Sequence, residues 1–382
     1  MRVRAAILVG LAAFAIPWSA QAQQADSTAT PDQPVLTPPP VPVVQTDPDF
    51  PRGRISGYMF GDAYYNVSGD PTHTYSGSAD LGKVNIDGTP NITRDLNGIQ
   101  LRRVYFQLDN DLSVKFSTRF RLEMDGKELT SGGKLGVFVK NAYLQAKNVI
   151  PRGNFLFGEI TTPTFENSET FWQYRSIEKT IVDFRGVAPS SDLGIEMKGF
   201  LDANHKIGYS GMVGDGNGQK PENNRYKRLY LAIPILPIKD LRIEPYVDYE
   251  WGVNGADRNV YKVFAGYELK KGAIGVELVD AVQHSRVAAN TEPRGLSAFG
   301  RMAWTPTLAT FMRYDRWETN KRADNRVDQD LFIGGVDWQP YKDVHVMPNV
   351  ESLQYRAQGT GVAPSHHDTQ ARLTFFYSFS KP

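Results

Sequence analysis

The chain has 382 residues, 43 basic and 42 acidic, and carries no cysteine. A balance this close to neutral sets up no long-range field for nucleic acid. Without thiols there are no disulfides, no thiolate catalysis and no cysteine-held zinc or iron–sulfur centre.

The chain opens MRVRAAILVGLAAFAIPWSAQAQQ. Arg2 and Arg4 form a basic start, Ala5–Pro17 is a mostly apolar core, and Ala20-Gln21-Ala22 is a small-x-small cleavage site. Residues 1–22 therefore read as a secretory signal peptide and are set apart from the fold. Residues 23–51 are rich in Pro, Thr, Asp and Gln, including Pro38-Pro39-Pro40. Such a segment builds no core and is expected to be a periplasmic spacer. After residue 22 no apolar run approaches the roughly 18 residues that mark a transmembrane helix.

From residue 52 onward the pattern is strand and turn. Sixteen strands are predicted, at 54–66, 98–109, 113–124, 135–147, 153–161, 190–201, 205–214, 225–235, 241–251, 260–270, 271–281, 296–305, 308–317, 328–338, 343–355 and 369–379. The clearest two-faced stretch is Leu112–Met124. Leu112, Val114, Phe116, Phe120, Leu122 and Met124 alternate with Ser113, Lys115, Ser117, Arg119, Arg121 and Glu123. Side chains alternate across a strand, so one face is apolar and the other charged. The stretch exceeds a soluble strand of about five or six residues and suits the roughly nine to eleven of a tilted membrane strand. In 241–251, Leu241, Ile243, Val247, Tyr249 and Trp251 oppose Arg242, Glu244, Tyr246, Asp248 and Glu250, with Pro245 weakening the ladder. Strand 135–147 has mixed faces and leaves Lys140 without an orientation.

The connections alternate between short ones, such as Asn110-Asp111 and Pro306-Thr307, and long ones, such as Val67–Asn97, Asp125–Lys134 and Thr162–Pro189. Trp251, Trp304, Trp317 and Trp338 fall near strand ends, where interfacial aromatic girdles lie. The expected fold is all-β: a transmembrane antiparallel barrel of about sixteen strands over residues 52–382, in the bacterial outer membrane.

A polar segment as long as Thr162–Pro189 is usually functional. Folded inward, it would narrow a lumen otherwise wide enough for bulk water. Asn167 or Ser168 is expected to cap a helix from Glu169 to about Ile181, placing Arg175 and Lys179 on one face. Arg103, Lys115, Arg119, Arg121, Arg242, Arg301, Arg313 and Arg372 alternate with apolar neighbours and are expected to line the pore. Such a basic lining favours anions. Glu123, Glu159, Glu244, Asp248, Glu250 and Glu277 dilute it.

Gly158–Asp183, GEITTPTFENSETFWQYRSIEKTIVD, together with Val139–Leu144, resembles the phosphate-selective porin O and P family. There a glycine and a proline–phenylalanine strand end lead into a loop with an Ile-Glu-basic segment. Gly158, Pro163, Phe165, Ile177, Glu178 and Lys179 stand at those places, with Thr164 inserted between the proline and the phenylalanine. The resemblance implies a sixteen-stranded homotrimeric outer-membrane porin whose third long loop folds into the lumen. Arg175, Glu178 and Lys179 are then the constriction-loop residues. The implied partners are small ions or polar solutes and outer-membrane lipid, with no nucleic acid and no cofactor.

No G-x-S-x-G, H-E-x-x-H or P-loop motif is present, so no enzyme activity is expected. His366-His367-Asp368 is no metal site on a strand, where adjacent side chains face opposite ways. The functional expectation is passive diffusion of small ions and polar solutes, with a preference for anions or phosphate. The alternatives are an outer-membrane barrel hydrolase and a structural or adhesive barrel without a conducting pore.

Overall fold

The computed structural model describes residues 49–69, 92–129, 134–252, 255–285, 288–359 and 367–381. The expected signal peptide, residues 1–22, and all but the end of the expected spacer, residues 23–51, lie outside the described residues. Sixteen antiparallel strands close into one barrel, each paired with its neighbours in sequence and β1 with β16. They are β1 (Arg52–Ser68), β2 (Asn97–Asp111), β3 (Phe116–Leu129), β4 (Leu135–Ile150), β5 (Gly153–Thr161), β6 (Ser191–Phe200), β7 (Gly208–Gly214) and β8 (Arg228–Ala232). The circuit continues through β9 (Leu241–Glu250), β10 (Arg258–Leu269), β11 (Gly272–Gln283), β12 (Arg294–Thr305), β13 (Leu308–Glu318), β14 (Arg326–Tyr341), β15 (Val344–Gln358) and β16 (His367–Lys381). Among the described residues no helix is long and apolar enough to cross a membrane.

The outward face of the strands is apolar and exposed, as in Phe106 and Leu108 on β2, Ile274, Val276 and Leu278 on β11, and Leu373 and Tyr377 on β16. The inward face is polar and largely covered, as in Asp62, Glu123, Glu277, Glu351 and Arg372. This is the reverse of a soluble protein. It suits a wall with hydrocarbon outside and polar groups within.

Several boundaries differ from the sequence reading. β3 begins at Phe116, so Leu112, Val114 and Lys115 belong to the turn before it. Ser113 makes that turn, its hydroxyl accepting from the amides of Lys115 (3.2 Å) and Phe116 (3.1 Å). β7 starts late because the Asp202 carboxylate accepts from the amides of Asn204, Lys206 and Ile207 and holds a turn there. β8 ends at Ala232 because of Pro245 on β9. The Ile233 amide donates to the Pro245 carbonyl (3.1 Å), but proline has no N–H to return. The ladder resumes only as an isolated Ile235–Ile243 bridge. The alternation of short and long connections is correspondingly looser than expected, since 233–240 at the turn end is no shorter than 251–257 at the loop end.

Of the register shifts among the described strands, two turn a charged side chain toward the loop. On β2, Phe60 pairs with Arg103 and Gly61 with Leu101, leaving Arg102 extra. On β4, Arg121 pairs with Asn141 and Leu122 with Val139, leaving Lys140 extra. An extra residue lets two consecutive side chains turn to the same side. Lys140, which periodicity could not orient, thereby reaches inward to Ser190 Oγ (2.7 Å) and Glu123 (3.3 Å). Trp251, Trp304 and Trp338 are exposed near strand ends, as a girdle requires. Trp317 is not part of it: it faces the lumen and is buried in a core cluster.

Candidate functional site

The segment between β5 and β6, residues 162–190, folds into the barrel. Its neck is closed where the Thr162 amide donates to the Ser190 carbonyl (3.2 Å) and the Thr162 hydroxyl to the Pro189 carbonyl (2.7 Å). Just before the neck, Gly158 adopts φ +130°, and a Cβ there would sit 2.2 Å from the Ala142 carbonyl. Only glycine permits that approach.

Two short helices form, α1 (Glu166–Trp172) and α2 (Ile181–Phe184), in place of the single expected helix over Glu169–Ile181. The cap differs too. Phe165 is the N-cap of α1 and provides no side-chain hydrogen bond. Asn167, expected as a cap, instead meets Glu244 and accepts from Arg242 (2.6 Å), while the Ser168 hydroxyl donates to Phe165. α1 stops at Gln173, which is left-handed at φ 60°. The turn lets the Trp172 indole N–H donate to the Glu178 carbonyl (2.8 Å).

Apolar packing and arginines hold the segment in place. Phe171, Trp172, Tyr174 and Ile177 join a core with Phe264, Phe299, Phe311, Leu331 and Leu353 from β10 and β12–β15. Phe165, Ile181 and Val182 join a second with Tyr230, Tyr246 and Val260 from β8–β10. The wall then donates to loop carbonyls, which have lost their water and need partners. Arg102 reaches Ser176 (3.1 Å) and Ile177 (2.7 Å), Arg301 reaches Phe171 (3.2 Å), and Arg372 reaches Ile177 (3.3 Å). Arg313 donates to Lys179 and Lys262 to Thr164.

The expected pore-lining residues thus divide. Arg242, Arg301, Arg313 and Arg372 face inward but grip the loop. Arg313 and Arg372 are only 3% and 4% exposed. Arg103 is buried against Glu123 (3.0 Å) and Asp125 (2.9 Å). Lys115 is no wall residue, lying exposed in the β2–β3 turn. Arg119 and Arg121 remain partly exposed on the inner face, bonded to Asp109 (2.6 Å) and Gln107 (2.6 Å). Of the loop residues, Glu178 is buried beside Arg102 (3.5 Å). Arg175 and Lys179 are partly exposed. They are brought together through Asp183, at 3.0 and 3.5 Å, rather than along a helix.

Arg102 and Lys140 escaped the sequence reading because both sit on bulges. Glu169 and Asp183 escaped it because their weight comes from Arg175, which bridges them at 2.9 and 3.0 Å. Burial raises the Glu169 carboxyl, although Arg175 pulls the other way. Burial would also raise Asp183, but Arg175, Lys179, Arg103 and Lys140 together hold it well below the usual carboxylate range. Arg185, after α2, stacks over the Trp317 ring at 5.5 Å. Burial brings its pKa down to about 10, which leaves it charged at neutral pH.

Cavities lie on both sides of the loop. At the turn end one of about 460 Å³ is lined by Arg54, Asp109, Arg119, Tyr143 and Gln145. Another there, of about 320 Å³, includes Glu166, Asn167 and Lys198. At the loop end a cavity of about 820 Å³ includes Lys179, Asp183, Arg185 and Arg228. Loop residues bound the 320 Å³ cavity at the turn end and the 820 Å³ cavity at the loop end, so the inward segment forms the waist between these two, while the 460 Å³ cavity is lined by wall residues alone.

Solved structures with this fold include an anion-selective porin from Comamonas acidovorans, with a TM-score of 0.61 at 14% identity over 86% of this chain and 100% of that one. The outer membrane channel DcaP of Acinetobacter baumannii aligns with a TM-score of 0.60 at 14% identity, over 87% and 99% of the two chains. A loop-deletion mutant of OmpT, an outer membrane protein of Vibrio cholerae, aligns at 0.58 and 14% identity, over 86% and 99%. No protein-family model and no curated protein matches the chain.

Proposed function

We infer that the chain is a bacterial outer-membrane porin, a passive channel for small ions and polar solutes with a weak to moderate preference for anions. The observation that carries this is the waist: a closed barrel, apolar outside, whose lumen is narrowed by an inward loop with partly exposed charges on both loop and wall. Arg119, Arg121 and Lys140 on the wall face the segment bearing Glu166, Glu169, Arg175, Lys179 and Asp183. One cation about 7 Å from a passing anion in water contributes on the order of 0.6 kcal/mol. Arg119 and Arg121 together then favour anions severalfold before salt screening and before the nearby acids subtract.

The likeness to an anion-selective porin and to a channel supports the reading through the shared fold. Tight phosphate binding, which the resemblance of Gly158–Asp183 would imply, fits less well, because most inward arginines are committed to acids or to loop carbonyls. The homotrimer belongs to the same reading and is tested by the mass of the detergent-solubilised assembly. Single-channel conductance in a planar bilayer, with a reversal potential in a salt gradient, tests the function. The expected result is a steady conductance with a reversal potential displaced toward that of the anion. A folded barrel that passes no current overturns it.

A further inference from the structure

The outward face of the barrel is not apolar everywhere. On β12–β15, near the loop end, it carries Arg294, Arg316, Arg326 and Arg356. Their outward orientation follows from register: Arg316 pairs with Asp330 and Tyr314 with Phe332, in alternation with the lumen-facing Arg313, Asp315 and Trp317. Arg316 bridges Asp328 (2.9 Å) and Asp330 (3.1 Å), Arg326 bridges Asp328 (2.9 Å), and Arg356 bridges Asp330 (2.5 Å). Arg294 pairs with Glu318 at 3.0 Å.

The layering gives this cluster its sign. Asp328 and Asp330 have side chains 1% and 0% exposed, beneath the guanidinium groups. The side chains of Arg294 and Arg356 are 54% and 52% exposed. Asp328 and Asp330 fix Arg316, Arg326 and Arg356 from below, and Arg294 and Arg356 are each more exposed than the acids they pair with, Glu318 (19%) and Asp330, so the outermost charge is cationic. Each guanidinium has five N–H donors, more than a single carboxylate can take.

Height along the barrel places the cluster. On β14, Asp330 lies roughly 20 Å along the barrel axis from the girdle residue Trp338, against an apolar band about 25 Å tall. The arginines therefore stand at the outer edge of that band. This is no general property of the rim: at the matching ends of β2 and β4 the outward residues are Ile99 and Val137, both exposed. Below Arg294 and Arg316 an outward groove of about 590 Å³ runs between Tyr261, Val263, Leu278 and Leu296. Its polar end holds Asp280 and Glu318 beside Arg294 and Arg316, with Lys321 paired to Asp280 (2.5 Å). An apolar slot whose polar end carries the more exposed guanidinium Arg294 matches an amphiphile with acyl chains and a phosphate.

We propose that Arg294, Arg316 and Arg356, with the groove between β10 and β12, bind a phosphorylated lipid of the outer leaflet, its phosphate on the arginines and an acyl chain in the groove. The proposal rests on the membrane-barrel reading but not on conduction. Bidentate arginine–phosphate bonds supply the headgroup recognition, and chain burial adds to it.

The test uses the purified full chain in phosphatidylcholine nanodiscs, with and without a small fraction of diphosphorylated lipid A, read by native mass spectrometry. The wild-type protein should retain lipid A in preference to phosphatidylcholine. The triple variant Arg294→Gln/Arg316→Gln/Arg356→Gln should lose that preference by about a hundredfold, at roughly a factor of five per arginine. Its barrel should keep the wild type's protease resistance, which shows that the fold is intact whether or not the channel conducts. Should the triple variant misfold, the single variant Arg356→Gln, at the most peripheral position, keeps the question answerable by the same measurement. Equal retention of lipid A by variant and wild type overturns the proposal, and so does free exchange of lipid A from the wild type. Cross-linking of two copies through Arg356→Cys overturns it in favour of a subunit interface. Loss of conductance in the wild type would instead sink the porin reading and leave this binding result standing.

Discussion

The two sides of the lumen are built from the same residue types and are filled to different degrees. Toward β10–β16, aromatic and aliphatic side chains of the loop pack on Phe264, Phe299, Phe311 and Leu331, and the space is filled. Arginines there are spent on loop carbonyls. Toward β2–β5 the filling is incomplete: Arg102 is a strap here too, on the Ser176 and Ile177 carbonyls, but Arg119 and Arg121 stay partly exposed, and Arg119 borders a cavity at the turn end. The lesson is that an inward arginine does not define a pore. Where burial leaves carbonyls without water, a guanidinium becomes a strap; where water remains, it stays available to a passing ion.

The largest test of this division removes the filling. Deleting Glu166–Asp183 should raise single-channel conductance severalfold and admit larger solutes. A folded deletion variant with unchanged conductance would place the loop outside the conducting path. Next comes the anchor. Trp172 is fully buried, and Trp172→Ala should cost about 3–5 kcal/mol of loop docking. The expected signs are a larger, noisier conductance and protease cleavage within 173–180, with the barrel still resistant.

Strap and path residues should then separate in kind. Arg372→Gln removes an ion-pair partner of buried Glu351 (2.7 Å) and a donor to the Ile177 carbonyl (3.3 Å), and should loosen the loop at a cost of about 3 kcal/mol. The readout is noise and proteolysis, with little change in reversal potential. Arg119→Gln/Arg121→Gln should shift the reversal potential toward cations with conductance nearly preserved. Lys115→Gln, in the turn, should shift neither. Similar selectivity changes from both sets would erase the distinction.

The smallest effect is a pH step. Glu169 has a raised carboxyl, so on acidification it takes up its proton at a higher pH than an ordinary glutamate, while Asp183, held low by its basic neighbours, stays ionised. Neutralising Glu169 leaves Arg175 with one counter-charge fewer. Anion preference should therefore rise as pH falls through the Glu169 titration, and Glu169→Gln should show the raised preference already at neutral pH. A wild-type reversal potential that does not move across that range would show that Glu169 does not face the path.

The barrel was legible in the sequence wherever alternation ran unbroken. The two faces of 241–251, the outward set Leu373, Phe375, Tyr377 and Phe379, and the bounds of β5 follow from period-two patterning, because a wall between two solvents forces each side chain to one of them. The closure of sixteen strands follows as well, since every strand finds its sequence neighbour. Tertiary structure decided what local pattern does not carry. Bulges turned Arg102 and Lys140 inward by breaking the very period that sequence reading depends on. The loop broke at Gln173 because Trp172 had a core to enter, which propensity along the segment does not reveal. Which arginines became straps was settled only when the loop brought its carbonyls to them, since an arginine's partner across the lumen leaves no trace in the residues beside it.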